Sequence, residues 1–112
     1  MIACVGNDTF GNMAFDVWRR EGIDIRHVVR RDGVSTGGSI VVIGPNGDNY
    51  LVVDPAANEH LTGEDVRRIE GEIARSAVVM AQLEIQPEAV REGLRLGRHV
   101  DRFLLDGPGV RE

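Results

Sequence analysis

The chain has 112 residues, 42% of them hydrophobic, and a formal net charge of −5 at pH 7, enough for one modest core in a single soluble domain. No basic patch is dense enough to displace counterions from a nucleic-acid backbone, so DNA and RNA are not expected partners. All 13 Lys and Arg positions are arginine, which removes the phosphate-contacting lysine of a P-loop and any Schiff-base lysine.

The start, Met1-Ile2-Ala3-Cys4, lacks the basic region and long apolar stretch of a signal peptide, and no apolar run approaches the length of a membrane span. The expectation is a cytoplasmic protein with no membrane partner. Cys4 is the single cysteine and sits in an apolar run, so it reads as a buried structural thiol and an intrachain disulfide is excluded. Residues 2–5 predict a short buried strand with almost nothing upstream to cover it, the mark of a cut amino terminus. After the Gly6-Asn7-Asp8 turn, Phe10, Met13, Ala14, Val17 and Trp18 recur at helical spacing. They predict a helix with that face inward, ended by Gly22.

Residues 25–29 are β-branched and predict a second strand. Residues 39–43 and 50–53 flank Pro45-Asn46-Gly47-Asp48 and predict a β-hairpin. Thr62 followed by Asp65, with Leu61 and Val66 on either side, has the pattern of an N-cap and hydrophobic staple. It opens a single expected helix with Val66, Ile69 and Ile73 inward, ending near Arg75. Residues 77–81 form a near-continuous apolar run that suits a central parallel strand covered on both faces. Pro87 opens a helix with Ala89, Val90 and Leu94 inward. Residues 103–105 predict a last strand, followed by Asp106-Gly107-Pro108-Gly109. This order implies one α/β domain over the whole chain: a partial three-layer sheet with a projecting hairpin at about residues 35–54.

Glu84 follows the 77–81 strand, at the carboxyl edge where open α/β sheets hold ligands. Its carboxylate can accept hydrogen bonds from a ligand hydroxyl, help hold a hydrated Mg²⁺, or cap the next helix. Asn7 and Asp8 occupy the same edge after the first strand, but are also the residue types of turns and N-caps. Ser35-Thr36-Gly37-Gly38 permits close approach of a backbone to a small ligand, or marks a strand bend. His27, His60 and His99 have no ligand spacing, so no metal site is assigned. Gly-x-Ser-x-Gly does not occur, and residues 6–11 do not fit Gly-x-Gly-x-x-Gly, which sets aside nucleophile-elbow hydrolases and Rossmann dehydrogenases. No catalytic residue emerges.

Taken in order, Cys4-Val5-Gly6-Asn7-Asp8-Thr9-Phe10-Gly11, Gly22-Ile23-Asp24, Ser35-Thr36-Gly37, the hairpin, Ala57-Asn58 and Gln82-Leu83-Glu84 resemble the ribokinase-like family of carbohydrate kinases. The likeness runs nearly without gaps from Ile2 to about Gly97. It implies ATP-dependent, Mg²⁺-assisted phosphorylation of a sugar or nucleoside hydroxyl. It also implies a small β lid that closes the sugar site and often pairs with a second lid to make a homodimer. Glu84 matches the family glutamate near the sugar and phosphate site, and Ser39, Val41 and Val53 match lid positions that line the sugar pocket. These four are the expected substrate-binding residues. Ala56-Ala57-Asn58 matches a Gly-Ala-Asn-like segment, with Ala56 in place of the glycine, and is given no ligand role. The family's amino-terminal sugar-binding aspartate, paired-glycine motif, Asn-x-x-Glu segment and Gly-Ala-Gly-Asp anion hole with its catalytic base have no match. The isolated chain is therefore expected to be a catalytically incomplete internal piece of a sugar kinase, holding neither ATP nor Mg²⁺ tightly by itself. The rival reading is a non-enzymatic module that self-associates, or pairs with a kinase subunit, through the exposed strands of its hairpin.

Overall fold

The computed structural model describes residues 1–106; Gly107, Pro108 and Gly109 of the expected tail lie outside the described residues. Strand β1 (Ile2–Gly6) leads into helix α1 (Thr9–Arg20) and back into β2 (His27–Arg31). β2 runs parallel to β1, with Ile2 opposite His27 and Gly6 opposite Arg31. α1 begins on Asp8, whose backbone is extended and whose carboxylate accepts from the Gly11 N–H at 2.8 Å, an N-cap. Gly22 (φ 71°) follows the helix in the left-handed region, as its place in the sequence predicts. β2 starts two residues later than the 25–29 run because Asp24 accepts from the Arg26 N–H at 3.0 Å and the Val28 N–H reaches the Ile25 carbonyl. Ile25 is spent in that turn.

The expected inward face of α1 is corrected. Gly11 and Phe15 are the buried residues, while Met13, Val17 and above all Phe10, at 68% exposure, are open. Gly11 explains the rotation: a Cβ there would overlap the Gly6 carbonyl oxygen, so the helix seats on β1 along the Gly11–Phe15 line. Phe15 is covered instead by the Arg30 guanidinium, 4.2 Å from its ring centroid, in a cation–π contact.

β3 (Gly38–Ile43) and β4 (Asn49–Asp54) form the hairpin, pairing Ser39 with Val53 and Val41 with Leu51. At its tip the Gly47 N–H donates to the Gly44 carbonyl (2.9 Å), the Gly44 N–H donates to the Asp48 carbonyl (2.8 Å), and Gly47 takes φ 86°. Every residue of both strands is exposed, so the hairpin projects from the body.

A 3-10 turn (Ala56–His60) leads to α2 (Gly63–Arg67), α3 (Glu70–Ala74), β5 (Val78–Gln82) and α4 (Pro87–Leu96). A second 3-10 turn (Gly97–His99) then enters β6 (Arg102–Asp106), parallel to β5. Thr62 and Asp65 close a reciprocal capping box, with Leu61 and Val66 buried beside it. The single helix expected to Arg75 is instead two. At Ile69 (φ −113°, ψ 22°) the N–H tightens onto the Val66 carbonyl at 3.2 Å, and the bend turns Val66, Ile69 and Ile73 into one core. In α4 the inward residues are Ala89, Val90, Gly93 and Leu96, and Leu94 is exposed. The correction follows from β6: a Cβ at Gly97 would sit 2.9 Å from the Phe103 ring, so the Gly93–Gly97 edge of α4 must face that ring.

Cys4, Ala57, Leu61, Val66, Ile69, Ile73, Ala89 and Leu96 make one buried cluster, with Ile2, Val29 and Val79 against it. Side chains alternate along a strand, so Ile2 and Cys4 look toward this cluster while Ala3 and Val5 take the other face of β1. α1 contacts β1 as well, and helices thus flank the sheet as three layers. Among the described residues the sheet is present as two parallel ribbons, β1–β2 and β5–β6, beside the separate hairpin. β5 is covered on one face, not two: Val79 and Ala81 are half-buried, but Val78 is open and Met80 is 71% exposed. No helix among the described residues is long and apolar enough to cross a membrane.

Ala56 is the one non-glycine residue at positive φ (38°) among those described, a conformation that costs an L-residue about 1 kcal/mol. Ala56→Gly is expected to raise the melting temperature by about 4 °C. Thermal circular dichroism checks this, and a lowered melting temperature would show that the position is unstrained.

Candidate functional site

The carboxyl end of β1 is tied to the root of the hairpin by one hydrogen-bonded knot. Asp8 accepts from the Thr36 N–H and hydroxyl, each at 2.7 Å, as well as from Gly11, and the Thr36 hydroxyl oxygen accepts from the Gly6 N–H at 3.0 Å. The Thr36 hydroxyl first, then the Gly11 and Thr36 N–H groups, hold the Asp8 pKa down to about 2. Gly6 admits this knot because a Cβ there would overlap the Val34 carbonyl. The turn-and-cap reading of Asp8 is therefore the one the structure supports. Asn7 is engaged at the surface, donating to Asp32 at 2.7 Å and accepting from Arg30.

A second anchor holds the other side. Asp65, 5% exposed, accepts from Arg31 at 2.7 Å and from the Thr62 hydroxyl at 2.7 Å. Burial pushes its pKa up, but the Thr62 hydrogen bonds and the Arg31 charge outweigh that and leave it below the ordinary carboxylate value. Cys4 is buried close by, and burial raises its thiol pKa against the opposing charge of Arg31. It is a packing residue rather than a reactive one.

These anchors bring the hairpin over the end of β5. Glu84 is exposed just past that strand and borders a cavity of about 250 Å³. Ser39, Leu51, Val53 and Asp54 line it from the hairpin, and Asn58 from the 3-10 turn that follows. Three of the four expected site residues, Ser39, Val53 and Glu84, thus share one cavity. Val41 lies on the same hairpin face, one cross-strand pair farther out and opposite Leu51, and does not line it. Gly37 makes a close approach, but to the protein itself: a Cβ would meet the Pro55 carbonyl at 2.7 Å and the Asn58 amide at 2.9 Å. Gly38 faces open space. The sequence reading missed Leu51, Asp54 and Asn58. Hairpin register would have found Leu51 from Val41; nothing local marks Asp54.

Two carboxylates, an amide and a hydroxyl beside aliphatic walls suit a small polyhydroxylated ligand, which offers hydroxyl donors and apolar C–H faces. No cation lines the cavity, and no group of three or more metal-binding side chains occurs among the described residues. These residues do not fit a polyphosphate or its metal, so no phosphoryl step is derived from them. On the opposite face of the hairpin, Ile40 and Val52 border a second, larger space of about 560 Å³ with Asp8, Thr9 and Phe10. His27 approaches Glu72 at 3.5 Å and His99 accepts from Arg98.

The class of protein is an α/β domain with a projecting hairpin and an acidic cavity at its root, with no cation among that cavity's lining residues. Residues 1–96 match the profile described as pfkB family carbohydrate kinase, and the chain belongs to that family. Ribokinase of Mus musculus is 33% identical over 98 residues, which are 87% of this chain and 30% of that protein. The ribokinase structure from Giardia lamblia superposes with a TM-score of 0.80 at 24% identity, covering 98% of this chain and 35% of that one. The Arabidopsis thaliana ribokinase complexed with ribose and ATP gives 0.76 at 18% identity, covering 97% and 36%. The chain spans about a third of the length of the curated relatives it matches.

The depressed Asp8 pKa fixes a sign. Its ordinary value is 3.8 and its folded value about 2, so the stability it contributes is present above pH 4 and lost as the pH falls through 2. Asp8→Asn is expected to lower the urea midpoint at pH 7 and to flatten the loss of stability between pH 4 and pH 2. Urea titrations of both proteins at several pH values measure it; parallel acid limbs would remove Asp8 from the knot.

Proposed function

We propose that this chain forms the lid and the acceptor-facing wall of a kinase that transfers a phosphoryl group from ATP to a sugar hydroxyl, and that alone it does not turn over. The observation that carries this reading is the shared cavity of Glu84 with Ser39, Leu51 and Val53. Glu84 accepts from sugar hydroxyls, Ser39 adds a hydroxyl partner, and Val41 and Val53 shield the ring face when the hairpin closes. The base and the groups that stabilise developing charge on the transferred phosphoryl belong to the remaining length of the kinase. Such groups supply most of the rate in phosphoryl transfer, and ATP with Mg²⁺ binds there.

A coupled ADP-release assay with ribose, fructose and adenosine tests the claim, with no release above background expected from the 112-residue chain. Substantial turnover would sink it. The acceptor role is tested separately by NMR titration with ribose: shifts are expected at Ser39, Val53 and Glu84, weakened about tenfold or more in Glu84→Ala, the loss expected for a hydrogen bond to a charged group. Shifts confined to the Ile40 side of the hairpin would place the sugar elsewhere.

A second reading rests on the hairpin's other face. Ile40, Tyr50 and Val52 are each 66% exposed, an uncovered apolar surface on edge strands that suits association. A homodimer, or pairing with a kinase subunit, through this face is expected to appear in sedimentation velocity and to weaken in Ile40→Asp. A clean monomer with no affinity for a full-length relative would remove it.

A further inference from the structure

Asn58 stands in the first 3-10 turn with its backbone held from both sides. Its N–H donates to the Pro55 carbonyl at 2.8 Å, its carbonyl accepts from the Leu61 N–H at 3.4 Å, and the neighbouring Ala57 N–H is held on the Ser35 carbonyl at 3.0 Å. Ala57 and Leu61 are both buried, so the core anchors the turn on either side of Asn58. The side chain is wedged against Gly37, where a Cβ would come within 2.9 Å of Nδ2 and 3.4 Å of Cγ. The nitrogen is thus the amide atom nearest Gly37, and Gly37 itself lines the 250 Å³ cavity below the hairpin. The Asn58 amide makes no hydrogen bond to another described residue. Among the buried and half-buried described residues, His27 Nε2 is the one polar side-chain atom both unpartnered and sealed from solvent. The Asn58 amide is therefore unpartnered and open to the cavity it lines.

We propose that Asn58 is a specificity residue of this cavity: its amide N–H donates to the ring oxygen of a cyclic sugar and so selects ring-closed acceptors, an inference that rests on the acceptor-site reading above. The lining side chains leave few donors. Glu84 and Asp54 are carboxylates that only accept, and Leu51 and Val53 do neither. Donation falls to the Ser39 hydroxyl and the Asn58 amide, which differ in freedom. A hydroxyl hydrogen rotates and suits a sugar hydroxyl, which donates or accepts in turn, whereas an amide N–H is fixed in the plane of its group. A fixed donor matches an oxygen that can only accept. In a cyclic sugar that atom is the ring oxygen, and an acyclic polyol has none. With a CH₂ group in place of that oxygen, the N–H loses water without gaining a partner, which turns one missing oxygen into discrimination.

The probes are methyl β-D-ribofuranoside and its carbocyclic analogue, in which CH₂ replaces the ring oxygen. Each is titrated into the 112-residue chain and followed by NMR. The backbone amides of Ser39, Val53 and Glu84 read occupancy of the cavity, and the side-chain amide of Asn58 reads the proposed bond. The furanoside is expected to move both sets of signals and to bind at least about fivefold more tightly than the analogue, within the range of a neutral hydrogen bond. In Asn58→Leu, which removes the donor, that preference is expected to fall below about twofold. If Asn58→Leu does not fold, Asn58→Asp, which keeps the shape and loses the N–H, replaces it. A residue that merely braced the turn would weaken both ligands alike and leave their ratio unchanged. Shifts at Ser39, Val53 and Glu84 with an unmoved Asn58 side-chain amide, or with equal affinity for the two ligands, overturn the proposal and leave the acceptor-site reading standing. A preference that persists in the variant does the same. Absence of shifts at Ser39, Val53 and Glu84 with both ligands removes that reading, and the proposal with it.

Discussion

The bond between Asp8 and Thr36 joins three elements of the fold. Asp8 starts α1, Thr36 roots the hairpin, and the Thr36 hydroxyl closes on the last residue of β1. The hairpin has no buried residue in either strand, and a two-stranded hairpin has little stability of its own in water. Its direction is therefore set at the root. On the far side the root is fixed by the Ala57 N–H on the Ser35 carbonyl at 3.0 Å and by Gly37 pressed against Pro55 and Asn58. Hydrogen bonds to an ionised carboxylate are stronger than neutral ones, so the charge on Asp8 makes this root rigid.

Much of the fold is legible from residues whose neighbours in sequence are also their neighbours in space. Thr62 with Asp65 closes a capping box, Gly47 turns the hairpin, and Pro87 opens α4 at its first turn. Each is decided within four or five residues. The inner face of α1 is not, because Phe10, Met13, Phe15, Val17 and Trp18 put apolar groups on more than one flank. The choice falls to the contact of Gly11 with Gly6. The break at Ile69 is likewise hidden, since Val66, Ile69 and Ile73 keep helical spacing across it, and it coincides with burying all three together. Met80 reads as core from composition and lies open, because coverage is a property of the neighbouring elements and not of the strand.

The site was legible in a different way. Glu84 follows from topology, since the end of a parallel strand is where a carboxylate is held by the sheet and still reaches a ligand. Ser39, Val41 and Val53 came from family likeness, and hairpin register puts them on one face: 39 pairs with 53 and 41 with 51. Asp54 escaped because it ends β4 opposite Gly38 with no local signal, and Asn58 because its place depends on the 3-10 turn that follows.

The charges of this chain are unevenly placed. Arg31 is spent on Asp65, Arg67 on Glu64 and Glu92, Arg95 on Glu92 and Arg26 on Asp24, so the cations beside the core neutralise carboxylates rather than wait for a ligand. The cavity below the hairpin keeps Glu84 and Asp54 with no cation among its lining residues. A polyanion brought there would meet like charge, which disfavours it. A neutral polyol meets carboxylate acceptors together with the Ser39 hydroxyl and the Asn58 amide, which can donate as well as accept. The same electrostatics disfavour a polyanion in this cavity and leave it open to a neutral hydroxylated molecule.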